Sequence, residues 1–311
     1  MTGASVSAAV LGKVPWHPEF LPGSQLPPEI WAFDEWLFRN AQSQMSGAAR
    51  KASYGFLLQL APVHTGTNAI AGVIGPSHDL AGRPYPLAIV GRVTVARNIA
   101  THPEVLPIVF EEYWHAAVEI LREARTGPPN GDDWRLQRLS QTQVSLDTAF
   151  DLYANWAEQM SVSQLCSLIG RPADWLAIAA SRIALAAGPQ GGGRMQSIRV
   201  PLGHAAGGAL CFWLDVIRRA TGWQVHVPSF FWSHDEQGGD ALIFIGPPGD
   251  LTLATIWGDE ASRNDVCDLT ALEDALGVAS SLGSPSEGDA ESSLWPLLES
   301  VGALVKAQSS L

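Results

Sequence analysis

One acid, one base and three prolines stand within a single short stretch, Pro76-Ser77-His78-Asp79-Leu80-Ala81-Gly82-Arg83-Pro84-Tyr85-Pro86-Leu87. Proline fixes φ and pushes the residue before it towards extended geometry. The stretch is therefore expected to be rigid and to hold Asp79 and Arg83 in place. An arginine fork on a stiff loop suits recognition of a carboxylate or a partner surface. The same two residues can equally brace the turn that carries them.

Other residues that could do chemistry point less clearly. Gly188 to Arg194 is glycine-rich. No Lys-Ser or Lys-Thr pair follows it and no strong strand precedes it, so a connector is expected rather than a phosphate loop, and the Rossmann spacing is absent. His234-Asp235-Glu236 runs into Gln237-Gly238-Gly239 and reads as a turn tip. Consecutive residues do not readily converge on one ion. A metal-dependent hydrolase using His78, Asp79 and His234 is the enzymatic alternative that these residues leave open. No G-x-S-x-G elbow occurs, and Gly75-Pro76-Ser77 lacks the second glycine. Cys166 and Cys211 lie in apolar helical patterns and read as structural. His17, His64 and His102 lie near loops or helix starts and are assigned no role. No cofactor is expected.

Composition narrows the class. The 311 residues suffice for one large domain or two modest ones, and 46% hydrophobic with 16% charged residues supports a sizeable core. The formal net charge of -12 repels phosphates and argues against a nucleic-acid partner. Cys166, Cys211 and Cys267 are odd in number and far apart, as in a reducing compartment. Met1 to Leu11 has no basic segment ahead of its apolar residues, and the longest apolar stretch, His204 to Leu214, ends at Asp215, short of a membrane span. A soluble cytoplasmic protein without membrane insertion is expected.

The elements that must position these residues alternate along the chain. Strands are predicted at Ser7–Val14, Tyr54–Leu60, Ala69–Ile74, Leu87–Val93, Ser197–Val200, Gln224–Val227 and Ala241–Ile245. Tyr54–Leu60, Ala69–Ile74 and Leu87–Val93 are apolar on nearly every residue, as in strands covered on both faces. Pro27 and Pro28 open a helix whose inward stripe is read as Ile30, Trp31, Phe33, Trp36, Leu37 and Phe38. A second helix is predicted over Thr101–Arg125, with Thr101 as cap and Val105, Leu106, Val109, Phe110, Tyr113, Trp114, Ala117, Val118 and Leu121 inward. Val144–Ala187 reads as helical pieces with a break at Gly170-Arg171-Pro172, and Ala205–Thr221 as a buried helix. Pro228–Asp240 reads as a polar and aromatic connection. The alternation predicts an α/β fold, a three-layer α/β/α sandwich around one mostly buried mixed sheet, with extra helices and a C-terminal helix. The pattern leaves the strand order open. Residues 1–279 are expected to form a single domain with a helical insertion at about 127–193, followed by a Ser/Gly/Asp/Glu-rich linker at 280–293. Leu294, Leu297, Leu298, Val301, Leu304 and Val305 then mark an amphipathic helix over 294–311, expected to dock back on the body.

Taken together, three segments resemble the TagF/ImpM family associated with bacterial type VI secretion. Gly12-Lys13-Val14-Pro15-Trp16-His17-Pro18-Glu19-Phe20, with Leu26-Pro27 and the helix carrying Trp31, Asp34 and Trp36-Leu37, is similar to the family's G-K-x-P-x-x-G-D-F and W-D-x-W-L. Pro76 to Leu87 is similar to P-S-x-D-x-x-G-R-x-F-P-L. Pro228-Ser229-Phe230-Phe231-Trp232, with Leu242 to Ile245 and Gly246-Pro247-Pro248, resembles P-S-x-x-W and the strand after it. The resemblance covers roughly Val10 to Trp257; it is loose over 127–193 and absent after Asp268. Pro18-Glu19 replaces the usual Gly-Asp, and His78 and Leu80 stand where the family more often has an aliphatic residue and an arginine.

The resemblance implies an α/β domain that represses type VI secretion post-translationally in the cytoplasm, through the forkhead-associated scaffold component or by holding back assembly. The implied activity is binding, not catalysis. The expected partner-binding face comprises Lys13, Trp16, Glu19 and Phe20 after the first strand, Asp79 and Arg83 in the rigid loop, and Trp232 nearby. Tryptophan and arginine are common interface anchors. A structural subunit of the secretion apparatus is the remaining alternative.

Overall fold

Strand runs that are apolar on both sides need cover on both sides, and here they share one eight-stranded sheet. The structure, a computed structural model, describes residues 8–21, 26–42, 53–60, 68–95, 102–128, 136–140, 144–187, 197–221, 228–233, 238–245, 248–250, 252–257, 266–270 and 291–309. The strands are β1 (Ala8–Gly12), β2 (Tyr54–Leu58), β3 (Asn68–Gly75), β4 (Leu87–Thr94), β5 (Ser197–Pro201), β6 (Ser229–Trp232), β7 (Asp240–Phe244) and β8 (Val266–Asp268). Their order is β1-β4-β3-β2-β6-β7-β5-β8. β5 and β8 pair in parallel, and the other neighbours are antiparallel, so the sheet is mixed.

Helices cover both faces. On one face α1 (Pro28–Gln42) and α7 (Thr252–Ile256) enclose an aromatic core. Phe33 stacks on Phe56 of β2 at 5.1 Å, and Trp36 stacks on Phe231 of β6 at 6.1 Å. On the other face lie α2 (Glu111–Thr126), α3 (Leu146–Gln159), α4 (Val162–Leu168), α5 (Trp175–Ala187), α6 (Ala206–Thr221) and α8 (Leu294–Ser309). Tyr113 and Trp114 of α2 donate to the backbone carbonyls of Ala71 and Phe56, fixing α2 against the middle of the sheet. The C-terminal α8 buries Leu294, Leu298 and Val301 in the same core. A buried ionic knot ties α6 to its neighbours. Asp215 accepts from Arg218, Arg219 and Tyr153, and Arg218 also pairs with buried Glu104. Among the described residues, no helix is long and apolar enough to cross a membrane.

Several local expectations need correction. The region predicted as one helix from Thr101 to Arg125 is broken: Pro103–Val105 and Leu106–Val109 form separate turns before α2 begins at Glu111. Pro107 lacks the N–H that a continuous helix needs, and Phe110 leaves helical geometry at φ -105, ψ 9. Thr101 lies outside the described residues. Val118, expected inward, is exposed, as are Trp31 and Phe38 of α1. The connection Pro228–Asp240 contains the fully paired strand β6, while 224–227 lies outside the described residues. β8 and α7 were not expected. The linker up to residue 290 and the side chains of Leu304 and Val305 also lie outside.

Candidate functional site

β1 and β4 are neighbours, and Gly12 at the end of β1 faces Leu87 at the start of β4, itself opposite Gly75 at the end of β3. The turn after β1 and the proline-rich loop between β3 and β4 therefore leave the sheet side by side. Gly12 makes the closeness possible: its φ is +106, and a Cβ there would overlap the Pro86 carbonyl. Leu21 N–H donates to the Gly12 carbonyl and closes the first turn, and Leu80 N–H donates to the His17 carbonyl and joins the two.

The proline-rich loop is a miniature hairpin. His78 bridges Pro84, Tyr85 N–H donates to the Ser77 carbonyl, and Gly82 takes the turn at φ +77. Asp79 lies inside it with no exposed surface. Its Oδ1 accepts the backbone N–H groups of Ala81 and Arg83 at 3.0 and 2.9 Å. Its Oδ2 accepts Lys13 Nζ at 2.9 Å and Arg83 Nε at 2.6 Å. Burial opposes ionisation, but the Lys13 ammonium, the Arg83 backbone and the Arg83 guanidinium outweigh it and hold the carboxyl well below the usual carboxylate range. Arg83 reaches further, with Nη2 donating to the Pro18 carbonyl at 2.7 Å and lying 3.3 Å from Glu19 Oε1. Trp16 Nε1 donates to the Ala124 carbonyl in the last turn of α2, where helical carbonyls lack internal partners. Arg125 of the same turn donates to the Pro76 carbonyl.

The expected face thus separates by role. Lys13, Trp16, Glu19, Phe20, Asp79 and Arg83 do come together. Lys13 and Asp79 are buried and Trp16 is braced, so what solvent sees is Glu19, Phe20, Arg83 and the loop tip Leu80, which is 64% exposed. Trp232 is not part of this group. Its register runs through Gly55, Val73 and Ile89 to Val10, four strands away or ~19 Å. It packs edge-on against Trp114 at 5.2 Å and lines a separate apolar cavity of about 530 Å³ with Trp114, Trp156, Leu152 and Cys211. Its place in the sheet, next to β2, rules out the neighbourhood expected for it.

His78 is exposed, Asp79 is fully engaged by cationic and N–H donors, and His234 lies outside the described residues. Among the described residues, no group of three His, Cys, Asp or Glu side chains is placed to hold a metal ion.

Next to the loops is a second cavity, about 540 Å³, bounded by Phe20, Asp34, Glu35, Phe38, Arg39 and Tyr85. The Phe20 ring meets Tyr85 edge-on at 4.7 Å and carries Lys13 Nζ at 4.9 Å from its centroid. Burial, then Glu35, push the Asp34 carboxyl above its ordinary value, and burial, then Asp34, push up the Tyr85 hydroxyl. Asp34, Phe38 and Tyr85 were not among the expected site residues. Helical spacing could have found one of them, Phe38. At 100° per residue, Trp31, Glu35 and Phe38 fall on the side of α1 away from Phe33 and Leu37, and Asp34 lies at the border between the two sides.

Residues 9–142 match the family model described as the TagF N-terminal domain, type VI secretion system-associated. Among solved structures, the chain is similar to the crystal structure of PA0076 from Pseudomonas aeruginosa PAO1, at 20% identity and a TM-score of 0.33, over 45% of this chain and 64% of that one. The likeness thus spans less than two thirds of that protein. No curated protein matches.

Proposed function

We propose, from the match of residues 9–142 to the type VI secretion-associated TagF N-terminal domain model, that this chain is a non-enzymatic, cytoplasmic regulator. It represses type VI secretion post-translationally by binding a protein of the secretion machinery, the forkhead-associated scaffold component being the candidate that the family resemblance implies. One observation carries this reading. The family-like segments that begin at Gly12 and Pro76 are locked together at one end of the sheet by Asp79, Lys13 and Arg83, while Phe20 and Leu80 protrude from the locked frame. A rigid frame presenting exposed apolar side chains binds with little loss of conformational entropy. Asp79 and Lys13 are the frame, and the protruding residues make the contact. The overall negative charge favours a partner with a basic surface.

The test is affinity purification of the tagged chain from cells that assemble the apparatus, alongside Leu80→Asp and Phe20→Ala, with circular dichroism to verify folding. The wild type should retain a secretion component that both variants lose, and its overexpression should lower secretion of the system's substrates. Equal retention by all three proteins would remove this end of the sheet from the interface. A wild type that retains no component, or overexpression that leaves secretion unchanged, would overturn the reading.

A further inference from the structure

We propose that the cavity between α1 and the Phe20 turn receives a basic side chain, a guanidinium or ammonium group presented by the protein partner. The inference deepens the binding reading above and rests on it for the ligand's being part of a protein.

The cavity's walls are the aromatic rings of Phe20, Phe38 and Tyr85, and its acids are Asp34 and Glu35. Aromatic faces attract cations, and a carboxylate adds a charge-assisted hydrogen bond. The protein already uses one such pairing here, with the Lys13 ammonium over Phe20. That ammonium is held by Asp79 and is not available to Asp34.

Two polar groups in this cavity lack partners. Among the described residues, Asp34 takes part in no hydrogen bond or ion pair, and its raised pKa is what a half-buried acid without a counter-cation shows. The Tyr85 hydroxyl likewise has no partner among them, although the residue is only 8% exposed. Neither is a fully buried polar atom without a partner, so both reach the cavity's solvent and are open to a ligand that enters it. Arg39 of α1 also bounds the cavity, and its Nε pairs with Asp250, 3.3 Å away.

Other ligand classes fit less well. An anion would meet Asp34 and Glu35. An aliphatic side chain would leave Asp34 desolvated and unpaired. A hard divalent ion seeks about six or more oxygen ligands, and among the described residues no group of three acidic, imidazole or thiol side chains is placed to hold one. A basic side chain matches all of them: its stem lies against Phe20 and Phe38, and its head meets Asp34 and the Tyr85 hydroxyl.

The experiment is an amide NMR titration of the full chain with N-acetyl-arginine methylamide and, in parallel, its neutral isostere N-acetyl-citrulline methylamide. The arginine probe should shift the signals of Phe20, Asp34, Phe38 and Tyr85 saturably, and the citrulline probe should not. Asp34→Asn should weaken the arginine probe by about tenfold or more. Phe38→Leu, on the exposed side of α1, should weaken it by about threefold. Equal responses to the two probes, or an unchanged response in Asp34→Asn, would overturn the proposal. Co-purification with Asp34→Asn separates this inference from its premise. If the variant keeps the secretion component that wild type captures, the cation site is wrong and the partner reading stands. If wild type captures no component while the arginine titration behaves as expected, the partner reading falls and the cation site stands.

Discussion

Replacing Gly12 by alanine tests the frame directly. At φ +106 an L side chain adds about 1–3 kcal/mol of backbone strain. The new Cβ would also overlap the Pro86 carbonyl. That atom is main chain in a loop pinned by Tyr85 N–H to Ser77 O and by Arg125 to Pro76 O, so it cannot swing away as a side-chain tip would. Overpacking of this kind costs about 1–3 kcal/mol. The sum is about 2–6 kcal/mol, and it should lower Tm by roughly 5–20 °C. Gly82→Ala is the matched comparison: its φ is +77 but a Cβ there meets open space, so only the backbone term, about 1–3 kcal/mol, applies. Gly249→Ala, with open space and no positive φ, should stay within about 0.5 kcal/mol of wild type. Thermal and urea unfolding followed by circular dichroism give the three values. If Gly12→Ala is no more destabilising than Gly82→Ala, the end of β1 does not sit against the proline-rich loop and the frame is wrong.

Other outcomes are equally specific. Asp79 has a lowered carboxyl pKa in the folded protein, so its contribution is complete above the unfolded value near 4 and is lost as pH falls towards the folded value. The Tm gap between wild type and Asp79→Asn should thus be constant from about pH 7 to 5 and should shrink below about pH 4. Phe33→Ala removes the partner stacked on Phe56 in a fully buried position and should cost about 3–5 kcal/mol in denaturant titration. Burial pushes the Cys166 thiol up to about 11 and raises those of Cys211 and Cys267. A thiol reagent at pH 8 should therefore leave Cys166 and Cys211 unlabelled in the native protein, label half-buried Cys267 slowly, and label all three in guanidinium.

The stiffness of the loop from Pro76 to Leu87 is legible in its prolines, and the covered strands are legible in their unbroken apolar runs. The direction in which Asp79 points is not. It turns inward because Lys13, 66 positions away, delivers an ammonium to it, and no local pattern encodes that meeting. The helix α1 was recognisable, yet residue type alone placed Trp31 and Phe38 inward, whereas the helical period puts them outside. β6 was hidden because a strand covered on both faces, followed at once by polar turn residues, looks like an aromatic loop. Trp232 was misplaced for the same reason: its neighbour β2 belongs to a segment more than 170 positions earlier in the chain, and the order of strands across the sheet leaves no trace in either segment.

The pairing of β2 with β6 has a practical consequence for anyone who cuts this gene. The fragment 9–142 that matches the family model ends before β6 is encoded. Expressed by itself, it would present the bare hydrogen-bonding rim of β2, a strand whose five residues are all buried in the intact protein. Such a rim recruits further strands from other molecules and drives precipitation. Truncation studies should therefore keep residues 229–244 in the insert, or expect inclusion bodies.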